Sequence, residues 1–199
     1  LAYQLGVDRM RQTAETLGFN ENFKLGDFAL YNSQFPTSAS NMSDLVWAGI
    51  GQSTVLTTPM HMAMITASVA NDGVMMKPWL VRRIVTATGT VTQAGSAQGY
   101  RRVMSAQTAA EITRYMAAAV DSGTAVRAKI SGHQVCGKTG SAEISDDKTV
   151  ATHSWYAGFI DEDAHPYAIA VVVEQGGAGS KLASELAAKA LKYALDYVG

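Results

Sequence analysis

Three segments of the chain repeat apolar residues every three to four positions, which is the spacing of one helix face. The first starts at the N-terminus and breaks at Gly6. The second starts at Thr58-Pro59, because threonine is a good N-cap and proline suits the first helical position, and the third covers Ser105–Val120. The predicted inner faces are Leu1, Leu5, Met10, Ala14 and Leu17; Met60, Met64, Ile65 and Val69; and Ile112, Met116 and Val120.

The last third of the chain changes to short apolar runs, which predict strands over Val135–Ser141, Ser154–Asp161 and Tyr167–Glu174. The two connections are too short for a helical crossover, so the strands should form an antiparallel meander. A final helix is predicted after a glycine-rich bend, with Ser180 as its N-cap. Helices, a meander and a last helix across one face of the sheet together predict an α+β fold. The last helix has an apolar side of mostly small residues: Ala183, Ala187, Ala190, Leu191, Ala194 and Val198. Trp155 and Tyr156 of the second strand are predicted to pack against this helix.

The other segments have weaker patterns. Residues 19–51 lack a regular spacing, and their richness in Asn, Ser, Thr and Gly between Tyr31 and Ser43 predicts a long surface loop. Val74–Ala87 and Val91-Thr92 are predicted to be extended on either side of a turn at residues 88–90.

Composition narrows the class of protein. The 199 residues contain 16 Lys and Arg against 17 Asp and Glu, a net charge of −1, and 47% are hydrophobic. This balance excludes disorder, and it disfavours a nucleic-acid partner bound through bulk charge. One cysteine and four histidines without ligand spacing predict neither a disulfide framework nor a metal site. No apolar run approaches the roughly 18 residues of a membrane span, so no membrane contact is expected from this segment.

The segment with the clearest chemical potential is Lys138-Thr139-Gly140-Ser141. Side chains alternate along a strand, so Thr139 and Ser141 should share one face while Lys138 points to the other. Two hydroxyls and a backbone N–H beside a cleft could hold a carboxylate and a carbonyl. The nearby Cys136 is predicted to be a small buried hydrophobe rather than a reactive thiol. A solvated strand end could also carry K-T-G, so the context of the motif decides.

That context is an ordered series of motifs. They are Gly51-Gln52, Thr58-Pro59, Ala70-Asn71-Asp72-Gly73, Pro78-Trp79-Leu80-Val81, Ser122-Gly123-Thr124-Ala125, Gly137 to Ala142 and Trp155-Tyr156-Ala157-Gly158-Phe159. Together these motifs, which cover the chain from Gly51 to Phe159, resemble the transpeptidase domain of class B penicillin-binding proteins. The resemblance implies the penicillin-binding protein/beta-lactamase-like fold, with residues 1–199 as the C-terminal portion of one such domain. It implies no cofactor and no metal.

Only the third of the family's three chemical motifs is present, because S-x-x-K and Ser-x-Asn should precede K-T-G. The sole S-x-x-K runs from Ser145 to Lys148, after K-T-G, and is predicted to be a solvated loop. Ser38 to Asn41 is a near-miss for the second motif. The nucleophilic serine is therefore expected upstream of Leu1, and this chain alone is expected to be inactive.

The resemblance implies acyl transfer at D-Ala-D-Ala of peptidoglycan stem peptides, with beta-lactams acylating the same serine. Lys138 would supply positive charge that sets the electrostatics of the site, and it would assist proton transfer. Thr139 and Ser141 would bind the substrate carboxylate, Gly140 would line the substrate, and the Ser141 N–H would be one oxyanion donor. Ser141 stands where threonine is usual, but the hydroxyl is kept. The parent protein would be anchored at the extracytoplasmic face of the bacterial cytoplasmic membrane, with elongation or division machinery as partners.

Two alternatives on the same fold stay open: a penicillin-sensing or degenerate binding module, and a beta-lactamase. The upstream serine motifs would discriminate between them. Gly176 to Lys181 has the position of a phosphate loop between a strand and a helix. It lacks the G-K-[ST] ending, so no nucleotide site is predicted.

Overall fold

The computed structural model describes residues 1–26, 28–38 and 42–197. Within these residues the chain forms five α-helices and nine strands. The helices are α1 (Ala2–Thr16), α2 (Met42–Ala48), α3 (Pro59–Ala70), α4 (Ala106–Asp121) and α5 (Leu182–Tyr197). The strands are β1 (Lys24–Leu25), β2 (Phe28–Ala29), β3 (Val74–Met76), β4 (Arg83–Val85), β5 (Val91–Ala94), β6 (Gly99–Arg102), β7 (Val135–Ala142), β8 (His153–Ile160) and β9 (Ala168–Val173).

The largest sheet has the order β7-β8-β9, and both pairs are antiparallel. The predicted meander is therefore confirmed. Helix α5 covers one face through a cluster that includes Tyr156, Ala183, Ala187 and Leu191. Helices α3 and α4 cover the other face, where Cys136 and neighbouring apolar residues are packed. The sheet is thus a buried layer between helices, and the predicted α+β architecture is confirmed.

The helix ends follow local sequence rules. The side chains of Thr58 and Ser105 accept hydrogen bonds from the third residue beyond each, which makes them the N-caps of α3 and α4 as predicted. The α1 segment changes direction at Gly6, where φ is 75° and ψ is 166°. A residue with a β-carbon rarely adopts that conformation, so the predicted break at this glycine has a direct steric cause.

Several predictions about the helices were wrong. Residues 42–48 are helical, because Leu45 and Ala48 are buried against neighbouring elements, although residues 19–51 lack a regular apolar spacing and were predicted to be irregular. Helix α5 begins at Leu182, and its Ala183 N–H donates to Ser154 Oγ of β8 rather than relying on a cap at Ser180. Ala190 is exposed, since it lies just outside the stripe of α5 that meets the sheet.

The extended segment after α3 is shorter than predicted. Only β3 and β4 are strands within Val74–Ala87, and the turn at residues 88–90 joins β4 to β5 as expected. Strand β6 was not predicted, because it has no apolar alternation and forms by pairing with β3. Val198 of the predicted α5 face and residues 39–41 of the Ser38–Asn41 near-miss lie outside the described residues.

The first half of the chain has a separate small core, in which Phe23, Met64, Met75 and Val103 are buried together. Large apolar side chains around it remain exposed, with 91% of Tyr31 and 70% of Ile50 accessible to solvent. Among the described residues, no helix is both long and apolar enough to cross a membrane.

Candidate active site

The candidate site is built on β7, which is an outer strand of the three-stranded sheet. In an antiparallel pair, the N–H and C=O of one residue point to the partner strand and those of the next residue point away. Asp161 N–H donates to Gln134 O at 2.9 Å, so even-numbered positions of this segment face β8. Thr139 and Ser141 therefore present their backbone N–H and C=O to the open edge. This arrangement leaves main-chain groups available to an extended ligand.

A glutamine from the first half of the chain marks that edge. Gln52 Nε2 donates to Ser141 O at 3.3 Å, although the two residues are 89 positions apart. The Gly51-Gln52 motif was singled out in the sequence without a role. The structure places its side chain on the main chain of the K-T-G strand.

Two further segments contact the same strand from the face that carries its hydroxyls. Thr124 Oγ1 and Thr139 Oγ1 are 3.0 Å apart, which ties the Ser122-Gly123-Thr124 segment after α4 to β7. Gly179 N–H donates to Ser141 Oγ at 3.1 Å. A hydroxyl has two lone pairs and its own proton, so Ser141 Oγ can accept from Gly179 and still donate to a ligand.

Lys138 lies on the opposite face, as the alternation predicted. In the register of β7 with β8, Lys138 lies opposite Ala157 and Thr139 lies opposite Tyr156. Tyr156 is buried on the face of the sheet that α5 covers, so Thr139 shares that face and Lys138 does not. The Lys138 side chain is exposed, and Nζ donates to Thr139 O at 2.6 Å by bending around the strand edge. The ammonium group therefore lies beside the same open edge as the outward backbone groups.

One glycine on β7 and one on β8 make room for a single aromatic ring. Gly137 and Gly158 are paired across β7 and β8, and a β-carbon at either would lie within 2.5 Å of the Tyr156 hydroxyl. Burial raises the pKa of Tyr156, and its hydroxyl lies 3.4 Å from Cys136 O. Glycine is thus required at these two positions, because any side chain there would clash with the Tyr156 ring that lies over the paired strands.

The glycine-rich bend before α5 packs directly on the site strand. A β-carbon at Gly179 would meet Gly140 O at 2.0 Å and Trp155 O at 2.6 Å. Such a close approach is possible only for glycine, and it brings the Gly179 N–H to Ser141. The bend therefore supports the K-T-G strand.

Three smaller predictions can be compared with the structure. Cys136 is fully buried, and burial raises its pKa to about 12, so it is a core residue as predicted. Ser145 lies in an exposed loop, where Lys148 binds Glu143 instead, as expected for a solvated turn. Tyr156 packs against α5 as predicted, but Trp155 lies on the other face, because neighbouring strand residues alternate.

Sequence reasoning did not predict a group of two histidines and a glutamate, His133, Glu162 and His165, in which the ligand atoms all lie within 4.8 Å of one another. They are up to 32 positions apart in the sequence and have no metal-ligand motif. The register of β7 with β8 brings them together, since Gln134 pairs through its carbonyl with Asp161. The spacing of these three residues in the sequence does not indicate a cluster. It could have been predicted only from the pairing of β7 with β8.

Solved structures that superpose on this chain define the class of fold. Penicillin-binding protein A from Mycobacterium tuberculosis, in its ceftriaxone acyl-enzyme complex, superposes with a TM-score of 0.91 at 28% identity, covering 98% of this chain and 44% of that one. The D,D-transpeptidase domain of a peptidoglycan glycosyltransferase from Eggerthella lenta superposes with a TM-score of 0.84 at 25% identity, covering 100% of this chain and 50% of that one. The fold is the penicillin-binding and beta-lactamase-like fold.

The chain belongs to the penicillin binding protein transpeptidase domain family, which matches residues 1–192. The peptidoglycan D,D-transpeptidase PbpA of Mycobacterium tuberculosis is 31% identical over 207 residues, covering 98% of this chain and 41% of that protein. The enzyme of the same name from Mycolicibacterium smegmatis is 36% identical over 131 residues, covering 65% of this chain and 26% of that protein. The chain thus spans less than half the length of these relatives.

Proposed function

We propose that this chain supplies the K-T-G edge of a serine D,D-transpeptidase that cross-links peptidoglycan stem peptides. The observation that carries the proposal is the open edge of β7, where Lys138 lies beside the outward backbone groups of Thr139 and Ser141. An extended peptide can add to such an edge through main-chain hydrogen bonds. The similarity to enzymes named peptidoglycan D,D-transpeptidases supports the same reaction class.

Each side chain of the motif has a distinct proposed role. Thr139 and Ser141 hold the terminal carboxylate of the D-Ala-D-Ala substrate through their hydroxyls. The Ser141 N–H, which points away from β8, stabilises the oxyanion of the tetrahedral intermediate. Gly140 has no side chain, so the ligand can lie close to the strand at this position. Lys138 supplies positive charge and assists proton transfer, since a lysine ammonium can release a proton whereas a guanidinium cannot.

The nucleophilic serine would come from outside this chain. Ser145 is the only serine with a lysine three residues later, and Lys148 of that pair binds Glu143 in the exposed loop that follows β7. The proposed reaction starts when the outside serine attacks the carbonyl between the two D-alanines. D-Ala then leaves, and an amine of a neighbouring stem accepts the acyl group. A beta-lactam would acylate the same serine.

The proposed substrates and partners follow from this reaction. They are peptidoglycan stem peptides, beta-lactams and the elongation or division machinery of a bacterial cell. The proposed location is the extracytoplasmic face of the cytoplasmic membrane, where peptidoglycan is cross-linked. The 199-residue chain by itself should form no covalent adduct with penicillin, and intact-mass measurement after incubation would detect one.

The role of the strand is tested by second-order acylation rates in the longer transpeptidase that carries these residues. Lys138→Ala should lose most of the rate, and Lys138→Arg should retain part of the binding but lose acylation. Thr139→Ala and Ser141→Ala should each reduce acylation about tenfold to 150-fold, because a hydrogen bond to a charged group contributes about 1.5–3 kcal/mol. The matched control is Lys148→Ala, which removes an exposed lysine ten residues away.

A solvated strand end would give different results. In that case all four variants would acylate at the wild-type rate while remaining folded, as judged by an unchanged unfolding midpoint. A Lys138→Ala protein with wild-type acylation would overturn the assignment of this strand. An adduct on Ser145 of the 199-residue chain would overturn the placement of the nucleophile.

A further inference from the structure

A second cluster of chemically capable side chains lies at the opposite end of the sheet from the K-T-G edge. His133 precedes β7 by two residues, and Glu162 and His165 lie in the turn between β8 and β9. Residues 135 to 141 of β7 separate the cluster from Ser141 by about 20 Å, at about 3.3 Å per residue. The cluster therefore takes no part in the proposed acyl transfer.

The donor atoms of the cluster converge on a small volume. His133 Nδ1 and His165 Nδ1 each lie 3.0 Å from Glu162 Oε2. The three atoms all lie within 4.8 Å of one another. Ligands around tetrahedral Zn²⁺, at about 2.0–2.1 Å from the metal, are about 3.3 Å apart. Small side-chain rotations would bring the three atoms to that spacing.

The backbone holds the cluster in place. The Gln134 N–H donates to Glu162 Oε1 at 3.1 Å, which fixes the carboxylate and leaves Oε2 directed at the two imidazoles. His165 N–H donates to Glu162 O at 3.1 Å, so both turn residues belong to one hydrogen-bonded turn. A partner that orients a ligand in this way is typical of metal sites. All three side chains are about one-quarter to one-third exposed, so an ion could enter from solvent.

The geometry around Glu162 Oε2 also suits a cation, because the Nδ1 atoms of His133 and His165 are both directed at this oxygen. Two imidazoles aimed at one oxygen can satisfy it together only if both rings carry their proton on Nδ1, whereas a metal ion would take the lone pairs of all three donors.

We propose that His133, Glu162 and His165 bind one Zn²⁺ ion, with water as the fourth ligand, and that this ion joins the β8–β9 turn to the start of β7. Two imidazoles and one carboxylate suit Zn²⁺, whereas Mg²⁺ and Ca²⁺ prefer oxygen donors. The proposed role is structural, because the ion would link two segments that are 29 residues apart. Binding to the folded state alone stabilises it, and the unfolding midpoint rises with the logarithm of the ratio of ligand concentration to Kd.

The test is calorimetric titration of the EDTA-treated 199-residue chain with ZnCl₂ at pH 7.5. One ion should bind per chain, with a rise in unfolding midpoint, and MgCl₂ should produce neither effect. His133→Gln, Glu162→Gln and His165→Gln should each weaken Zn²⁺ binding by at least about a hundredfold, beyond the 10–100-fold typical of outer-shell changes. The matched control is Asp163→Asn, which removes a carboxylate from the same turn but none of the three donors. It should bind Zn²⁺ as the wild type does.

Two results would overturn the proposal: no Zn²⁺ binding by the wild type, or unchanged binding by the three glutamine variants. X-ray absorption of the zinc-loaded wild type provides a readout that does not depend on folding of any variant. Two imidazoles with oxygen donors in the first shell would support the site. If the spectrum showed a sulfur ligand or only one imidazole, the ion would be bound at another site and the proposal would be rejected.

Discussion

The two halves of this molecule differ in how they bury their apolar residues. Around β7, β8 and α5, residues such as Tyr156, Phe159 and Ala187 are fully buried. In the first half, β1 and β2 have two residues each, and Tyr31 and Ile50 are mostly exposed. Exposed apolar side chains on this scale are typical of a surface that is covered in a larger assembly. The half that closes its own core also holds the K-T-G strand, and the other half contributes Gln52 to it.

The sharpest difference between the halves should appear when a glycine gains a methyl group. Gly158→Ala would place a β-carbon 2.4 Å from Cys136 O and 2.5 Å from the Tyr156 hydroxyl. Overpacking of this kind costs about 3 kcal/mol, and backbone on one side of the clash limits relaxation. Gly99→Ala in β6 is the matched control, because its nearest neighbour would be 4.0 Å away. Urea unfolding should show a large loss for the first and almost none for the second. Equal losses would contradict the close packing of Gly158 against β7 and the Tyr156 ring.

A smaller effect is expected at the start of α5. Ser154 is fully buried, accepts from the Ala183 N–H at 3.2 Å and donates to Ala178 O at 3.1 Å. Ser154→Ala should lower the free energy of unfolding by about 1–3 kcal/mol, because the buried Ala183 N–H loses its acceptor and Ala178 O loses its donor. Ser180→Ala is the control at the position that the sequence predicted as the cap. The thermal unfolding midpoint of Ser180→Ala should be close to that of the wild type. If Ser180→Ala were instead the less stable of the two variants, Ser180 would be the N-cap of α5, as the sequence predicted.

The core of the first half should respond to pH through His61. The ring lies between Phe19 and Phe23, its Nε2 is 2.9 Å from Leu17 O, and its Nδ1 is buried without a partner among the described residues. Burial lowers its pKa, so the folded state resists protonation while the unfolded chain takes up a proton near pH 6.5. Stability should therefore be complete above that pH and fall as pH decreases through it, by at most about 1.4 kcal/mol per pH unit.

Urea unfolding at pH 7.5 and pH 5.5 measures this slope, and His61→Gln should remove it. Hydrogen bonds from His133 and His165 lower the pKa of Glu162 in the second half, so this carboxylate makes its own contribution in more acidic solution, and the comparison is restricted to these two pH values. A slope that persists in His61→Gln would assign the titration to another group.

The smallest effect is expected on the exposed apolar surface. Tyr31→Ser replaces a side chain that is 91% accessible, so the free energy of unfolding should change by less than about 0.5 kcal/mol. Solubility of the chain should increase, because an exposed aromatic ring is removed. A loss above about 1 kcal/mol would show that Tyr31 is packed in solution.

The parts of the fold that sequence could predict are those governed by neighbouring residues. Thr58 and Ser105 cap their helices, Gly6 breaks α1, and the short connections require an antiparallel meander. Helix α2 and strand β6 were missed, because burial of Leu45 and pairing with β3 outweigh their weak local patterns. Local signals cannot report contacts made only after folding.

In the candidate site, too, features set by neighbouring residues were predictable and contacts with distant segments were not. The alternation of Lys138 with Thr139 and Ser141 follows from strand geometry and was predicted. Their roles stay predictions. The contact of Gln52 with Ser141 O, and the approach of Gly179 to Gly140 O, depend on segments 89 and 39 residues away. No spacing rule in one sequence locates such neighbours.

The contacts on Ser141 have a consequence for the order of folding. Gln52 precedes Ser141 by 89 residues, and Gly179 follows it by 38. Contacts between distant residues form slowly, because the loop between them must be closed first. During synthesis from the N-terminus, the hydroxyl and carbonyl of Ser141 cannot both have their partners until Gly179 has left the ribosome. The K-T-G edge is therefore completed late, and a nascent chain halted before residue 179 would already have its helices α3 and α4 but no finished binding edge.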